Sequence, residues 1–223
     1  MRFTTASTST GTNNIIVRRV YPTLFFLLWI WTFVNTSNVS NWMIENVLTV
    51  AFLALIFGTA SRFRFSDLSY TMAFVYICLH ILGAQHTYAE TPIGYWIQNT
   101  FGLARNPYDR IVHFSFGLLL AYPLRDYFKN KLKWPTWVCW VLPAEITLSF
   151  SGMYELIEYG VADIFFPSMG TDYLGTQGDP WDAQKDMAMA FMGAILTQLF
   201  TSIARRFRGA SPVSIPVEDP VVS

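Results

Sequence analysis

The sequence predicts an all-α fold, a polytopic membrane helix bundle of about six transmembrane helices with both termini in the cytoplasm. Three observations predict it. Hydrophobic residues make up 52% of the 223-residue chain and charged residues only 13%, where a soluble domain carries about 25% charged residues. Apolar runs near the ~20 residues needed to cross the hydrocarbon layer recur along the chain. They are continuous rather than alternating, so helices and not barrel strands are expected to satisfy the backbone in lipid. Finally, Lys and Arg gather on one side of these runs, which sets the orientation.

The elements follow in order. Met1–Asn14 is polar, rich in Ser and Thr, and lacks the apolar centre of a signal peptide; residues 1–19 are expected to be a disordered cytoplasmic tail. The transmembrane domain is expected over residues 20–204, with spans at Tyr21–Asn38, Trp42–Ala60, Leu68–Ala84, Tyr108–Leu124, Trp137–Tyr159 and Trp181–Ala204. The third and fourth are short, so flanking polar turns are expected to extend them. Trp42, Trp137 and Trp181 at span ends fit an aromatic belt. Residues 205–223, whose last part carries three prolines, form a second expected cytoplasmic tail. Arg18, Arg19, Arg62, Arg64, Arg125, Lys129, Lys131, Lys133, Arg205, Arg206 and Arg208 all fall on one side of this arrangement. Only Arg105, Arg110 and Lys185 fall on the other.

The topology excludes some readings. Net charge is zero, so no basic field invites nucleic acid. Cys78 and Cys139 lie toward opposite ends of their spans, whereas a disulfide tolerates only about 7 Å between Cα atoms.

It also gathers His80, His86, Asp109, His113, Glu155, Glu158, Asp179, Asp182 and Asp186 at one membrane face. Charge at membrane depth costs about 2.5–3.5 kcal/mol per residue, so such groups are functional candidates. Asp109 and His113 share a helix face at i, i+4, continued by the small residues Gly117 and Ala121, which allow close helix approach. Ser151, Glu155 and Glu158 share another face. Asp179-Pro180 reads as an N-cap with proline at the first helical position. Asp182 and Asp186 stack beyond it, above Ala190, Gly193 and Thr197. His86 reads as a loop residue facing water, and Glu145 lies deeper, away from the cluster. Most of these acids have no basic partner nearby in sequence.

A metal site follows as the sharpest expectation, with His80, His113, Glu155, Asp182 and Asp186 as ligands. Imidazole mixed with carboxylates suits Zn, Mn or Fe, and carboxylates alone suit Mg or Ca. Glu158 and Asp109 are the candidate catalytic acids and bases. No HExxH or CxxC motif supports the set.

The segments GAQHTYAE, YDRIVHF and GTQGDPWDAQKDMAMAFMGA resemble the uncharacterised bacterial inner-membrane family typified by YjdF, over roughly Leu24 to Ala204. The resemblance implies a multi-pass inner-membrane protein with these motifs facing the periplasm, and carries no activity, substrate or cofactor. Three functions compete. One is a metal-dependent membrane hydrolase or transferase acting on lipids or lipid-linked envelope precursors. The second is a structural polar network in a membrane interaction protein. The third is a small ion- or proton-coupled transporter.

Overall fold

A computed structural model describes residues 15–60, 62–165 and 174–209. Among these residues every regular element is a helix. A π-helical turn, Ile16–Val20, leads into α1 (Tyr21–Asn35), followed by α2 (Val39–Ala60), α3 (Asp67–Gln85), α4 (Pro92–Phe101), α5 (Tyr108–Asn130), α6 (Thr136–Phe165) and α7 (Asp182–Gly209). Helix thus begins inside the expected N-terminal tail and runs into the expected C-terminal one. The rest of both tails, 1–14 and 210–223, lies outside the described residues.

Among the described residues, four helices are long and apolar enough to cross a membrane: Ile16–Asn35, Val39–Ala60, Asp67–Gln85 and Asp182–Phe207. α5 and α6 have the length, at 23 and 30 residues, but their apolar character is diluted. α5 carries Asp109, Arg110, Arg125, Asp126 and Lys129, and α6 carries Glu145, Glu155, Glu158 and Asp163. These two helices form the centre of the bundle together with α7. The long helices otherwise lie over the expected apolar runs, and α5 does extend through a polar turn past Leu124. Cys78 and Cys139 are both free.

Small residues explain why α5 and α7 come so close. A Cβ added to Gly117 would overlap the Ala190 carbonyl and the Ala194 amide, and one added to Gly193 would overlap the Phe114 carbonyl and the Leu118 amide. The two backbones are therefore in direct contact, each helix supplying the glycine the other needs. Ala121, Ala144 and Ala194 close the seam toward α6, and the Thr197 hydroxyl donates across it to the Leu118 carbonyl. At the far end, the buried Arg125 guanidinium lies 3.9 Å over the Trp140 ring, a favourable cation–π placement where water is scarce.

α3 joins this centre to the outer helices. Tyr21 stacks on Phe74 at 4.4 Å, and its hydroxyl meets Thr71 at 3.1 Å, docking α1 on α3. Trp29 donates to Asn46 at 2.5 Å and Trp42 to Thr32 at 3.1 Å, so polar groups inside α1 and α2 are satisfied by indoles.

α4 was not expected as a separate element. Thr91 precedes Pro92 at its first turn, and Gly102 ends it at φ +64°, a left-handed position that favours glycine. Its Ile93, Tyr95, Trp96 and Phe101 are exposed, and its buried Gly94 rests on the Asn106 side chain.

Candidate functional site

The ends of α3, α5, α6 and α7 meet on one face, and here the acids do find cations. Arg105, in the loop before α5, pairs with Asp182 and donates to the Thr176 carbonyl at 3.2 Å. Arg110 reaches Asp179 at 2.5 Å and Asp182 at 3.2 Å, with its Nε 3.9 Å from Asp186. Lys185 pairs with Asp179 at 2.6 Å instead of joining Asp186.

The GTQGDPW segment acts as a clamp on this face. The Gln177 carboxamide accepts from the Asn106 amide at 2.9 Å and donates to the Asn106 carbonyl at 3.1 Å. Asn106 is itself fully buried, donating to the Thr91 carbonyl and accepting from the Tyr108 amide. Asp179 accepts from the Trp181 amide at 3.1 Å, so it does cap a turn, although α7 proper begins at Asp182. Lys185 and that amide hold the Asp179 carboxyl well below the usual carboxylate range.

Two groups of site residues result. In the first, Asp109, Asp182 and Asp186 each offer a carboxylate oxygen, all within 4.8 Å of one another. Asp182 and Asp186 are buried, and Asp186 Oδ1 receives no hydrogen bond although the residue is only 1% exposed. In the second, His113 stands between acids. Its Nε2 is 3.3 Å from Glu155 and 3.7 Å from Asp109, and its Nδ1 is 3.1 Å from the Ser151 hydroxyl. The i, i+4 pairing of Asp109 with His113 thus joins the two groups. Glu158, one turn beyond Glu155, lies beside the Tyr154 hydroxyl and within electrostatic range of Asp109.

His80 departs from its expected place among the ligands. Both its nitrogens are engaged elsewhere, Nδ1 with the Tyr88 hydroxyl at 2.6 Å and Nε2 with the Glu45 carbonyl at 3.3 Å. Tyr88 reaches it by lying over Gly83, where a Cβ would collide with the ring. His86 is half-buried at the end of α3, its amide bound to the Gly83 carbonyl; burial lowers its imidazole below the ordinary value, with Glu90 opposing. Glu145 is exposed on α6, away from the site.

Sequence reasoning missed Glu45, a buried acid of α2 that accepts from Tyr154 at 2.8 Å. An acid inside the apolar run WMIENVLTV was the available signal. Arg105 and Arg110 were visible only as orientation markers. Their pairing with acids some 70 residues away is a tertiary fact.

Comparison with known proteins places the chain among membrane proteins. Residues 17–207 match the family described as predicted membrane protein DUF2238. Inner membrane protein YjdF of Escherichia coli (strain K12) is 36% identical over 180 residues, covering 78% of this chain and 83% of that protein. No solved structure matches the chain. The chain belongs to the DUF2238 family of membrane proteins.

Proposed function

We propose that this DUF2238 protein is a six-span bacterial inner-membrane protein with cytoplasmic termini whose periplasmic face holds a divalent cation for chemistry on a lipid or lipid-linked substrate. One observation carries the cation reading: the convergence of the Asp109, Asp182 and Asp186 carboxylates within 4.8 Å, with a buried oxygen of Asp186 lacking a donor. Asp109, Glu155, Glu158, Asp179, Asp182, Asp186 and Glu45 together outnumber Arg105, Arg110 and Lys185 around this face. Like charges so close cannot all stay ionised without protons or a further cation to offset them.

The oxygen-only set moves the preferred metal. With His80 engaged by Tyr88 and Glu45, the three aspartates suit a hard ion such as Mn2+ or Mg2+ better than zinc. Asp109 then serves as a ligand and not as a base. His113, between Asp109 and Glu155, is placed to carry a proton to or from a reacting group beside the metal, with Glu158 behind it.

Titration of detergent-purified protein with Mn2+, with metal analysis alongside, tests the reading. The wild type is expected to bind one equivalent and Asp186→Asn none. A wild type that binds no Mn2+ sinks it.

The second reading is a structural network, favoured by the pairs of Arg105 with Asp182 and Arg110 with Asp179. It predicts that Asp186→Asn binds no less metal than the wild type and unfolds at a higher temperature, because a buried carboxylate oxygen with no hydrogen-bond donor and only a distant cation destabilises.

A further inference from the structure

A cavity of about 490 Å3 runs from the acid–imidazole site into the bundle. Its upper end is polar, with Asp109, His113, Ser151, Tyr154, His80 and Tyr88. Below these, its walls turn apolar, with Tyr76, Val112, Phe116, Leu120 and Ile146, and it ends at Phe65, Pro123 and Tyr127. Asp109 and Tyr127 bound it along α5, a helical distance of ~27 Å, close to the ~30 Å hydrocarbon thickness.

The cavity also has a side. α2 packs on α3, and α6 packs on α5 and α7, but α2 and α6 have no extended packing with each other. Leu48 and Leu55 of α2 and Phe150 of α6 line the cavity while remaining exposed, Leu55 by 64% and Phe150 by 57%. The gap is bridged at its polar end, where Tyr154 of α6 donates to Glu45 of α2.

We propose that this slot holds one acyl chain of a bilayer phospholipid, admitted sideways between α2 and α6, with its head beside Asp109 and His113. Three features select that occupant. The slot opens onto the surface that faces lipid, at ~27 Å it exceeds the roughly 15 Å of one leaflet's hydrocarbon and so has room for an extended chain, and its carboxylate and imidazole groups lie only at the end where a headgroup would lie. The position of the phosphate rests on the proposed cation, which would bridge it to the aspartates; the seat of the chain does not.

Wild-type protein reconstituted in phosphatidylethanolamine carrying a photoactivatable diazirine along one acyl chain separates these claims. Cross-links are expected on Phe116, Leu120 and Ile146, in addition to general labelling of outward residues such as Leu199 and Phe207. Labelling confined to outward residues overturns the proposal. Ala51→Trp, at the opening, is expected to lose the internal cross-links while keeping the outward ones and the wild-type Tm. Internal cross-links undiminished in a folded Ala51→Trp protein overturn the lateral route.

Asp186→Asn tests independence from the metal. Internal cross-links that persist after Mn2+ binding is gone support the chain site by itself. Displacement of the wild-type cross-links by a polyprenyl phosphate, but not by unlabelled phospholipid, overturns the acyl assignment.

Discussion

The α5–α7 seam and the α2–α6 gap both border the same site and are built by opposite means. At the seam, Gly117 and Gly193 remove every side-chain atom between two backbones, and alanines fill what remains. At the gap, large apolar side chains line a space, and Tyr154 reaches across it to Glu45. The difference separates two requirements of a membrane site. The acids of α5 and α7 must be held within a few ångströms of each other, which needs a rigid backbone contact. The proposed acyl chain must come and go, which needs a side where little is packed.

Predictions that would break this comparison begin at the seam. Gly117→Leu or Gly193→Leu drives a side chain into backbone that cannot yield. Overpacking of an interior costs about 1–3 kcal/mol even where neighbours can move, and here the expected outcome is loss of the monodisperse folded species on size exclusion in detergent. A folded, thermally unchanged Gly117→Leu protein would show that the seam is not in direct contact.

Next is the polar roof. Arg105→Ala leaves the buried Asp182 with only the longer approach of Arg110. Removing one partner of a buried pair costs roughly 3–5 kcal/mol, with somewhat less expected here because Arg110 remains. Thermal unfolding in detergent measures this, and Arg105→Met with Asp182→Leu should recover much of the loss.

A smaller effect is expected at the gap. Tyr154→Phe removes the donor to Glu45, worth about 1–3 kcal/mol for a buried acceptor left unsatisfied. Because α2 has little other hold on α6, the loss should show as faster hydrogen exchange in the first turns of α2, with α5 and α7 unchanged. Equal loosening of all three helices would erase the distinction between gap and seam.

The smallest concerns acidity. Asp179 is held below the ordinary carboxylate range by Lys185 and the Trp181 amide. A depressed carboxyl stabilises above its unfolded value of about 3.9, and that contribution is lost as pH falls through the lower, folded value. Exchange protection of residues 176–182 should therefore hold from pH 7 down to about 4. Asp179→Asn should weaken it at every pH in that range.

The long helices were legible because lipid imposes a local demand, enough consecutive apolar residues, that single runs reveal. The shared faces of Asp109 with His113 and of Asp182 with Asp186 followed equally from helical period. α4 was not legible as its own element, since ten residues with a short apolar face give no span signal. His80 and Tyr88 show a further limit. Spacing placed His80 near the acids, but the turn after α3 brings Tyr88 back over Gly83 to take its Nδ1.

Composition, run length and charge asymmetry by themselves determined that this chain is helical, suited to a membrane, and rich in acids at one end of its helices. Only the tertiary structure decided which acids meet Arg105 and Arg110, which converge without enough cations, and which helices leave a slot open beside them. The reason is physical. Apolar run length and helical period are properties of neighbours in sequence, whereas an ion pair or a cavity depends on distances between segments that only the packed bundle sets.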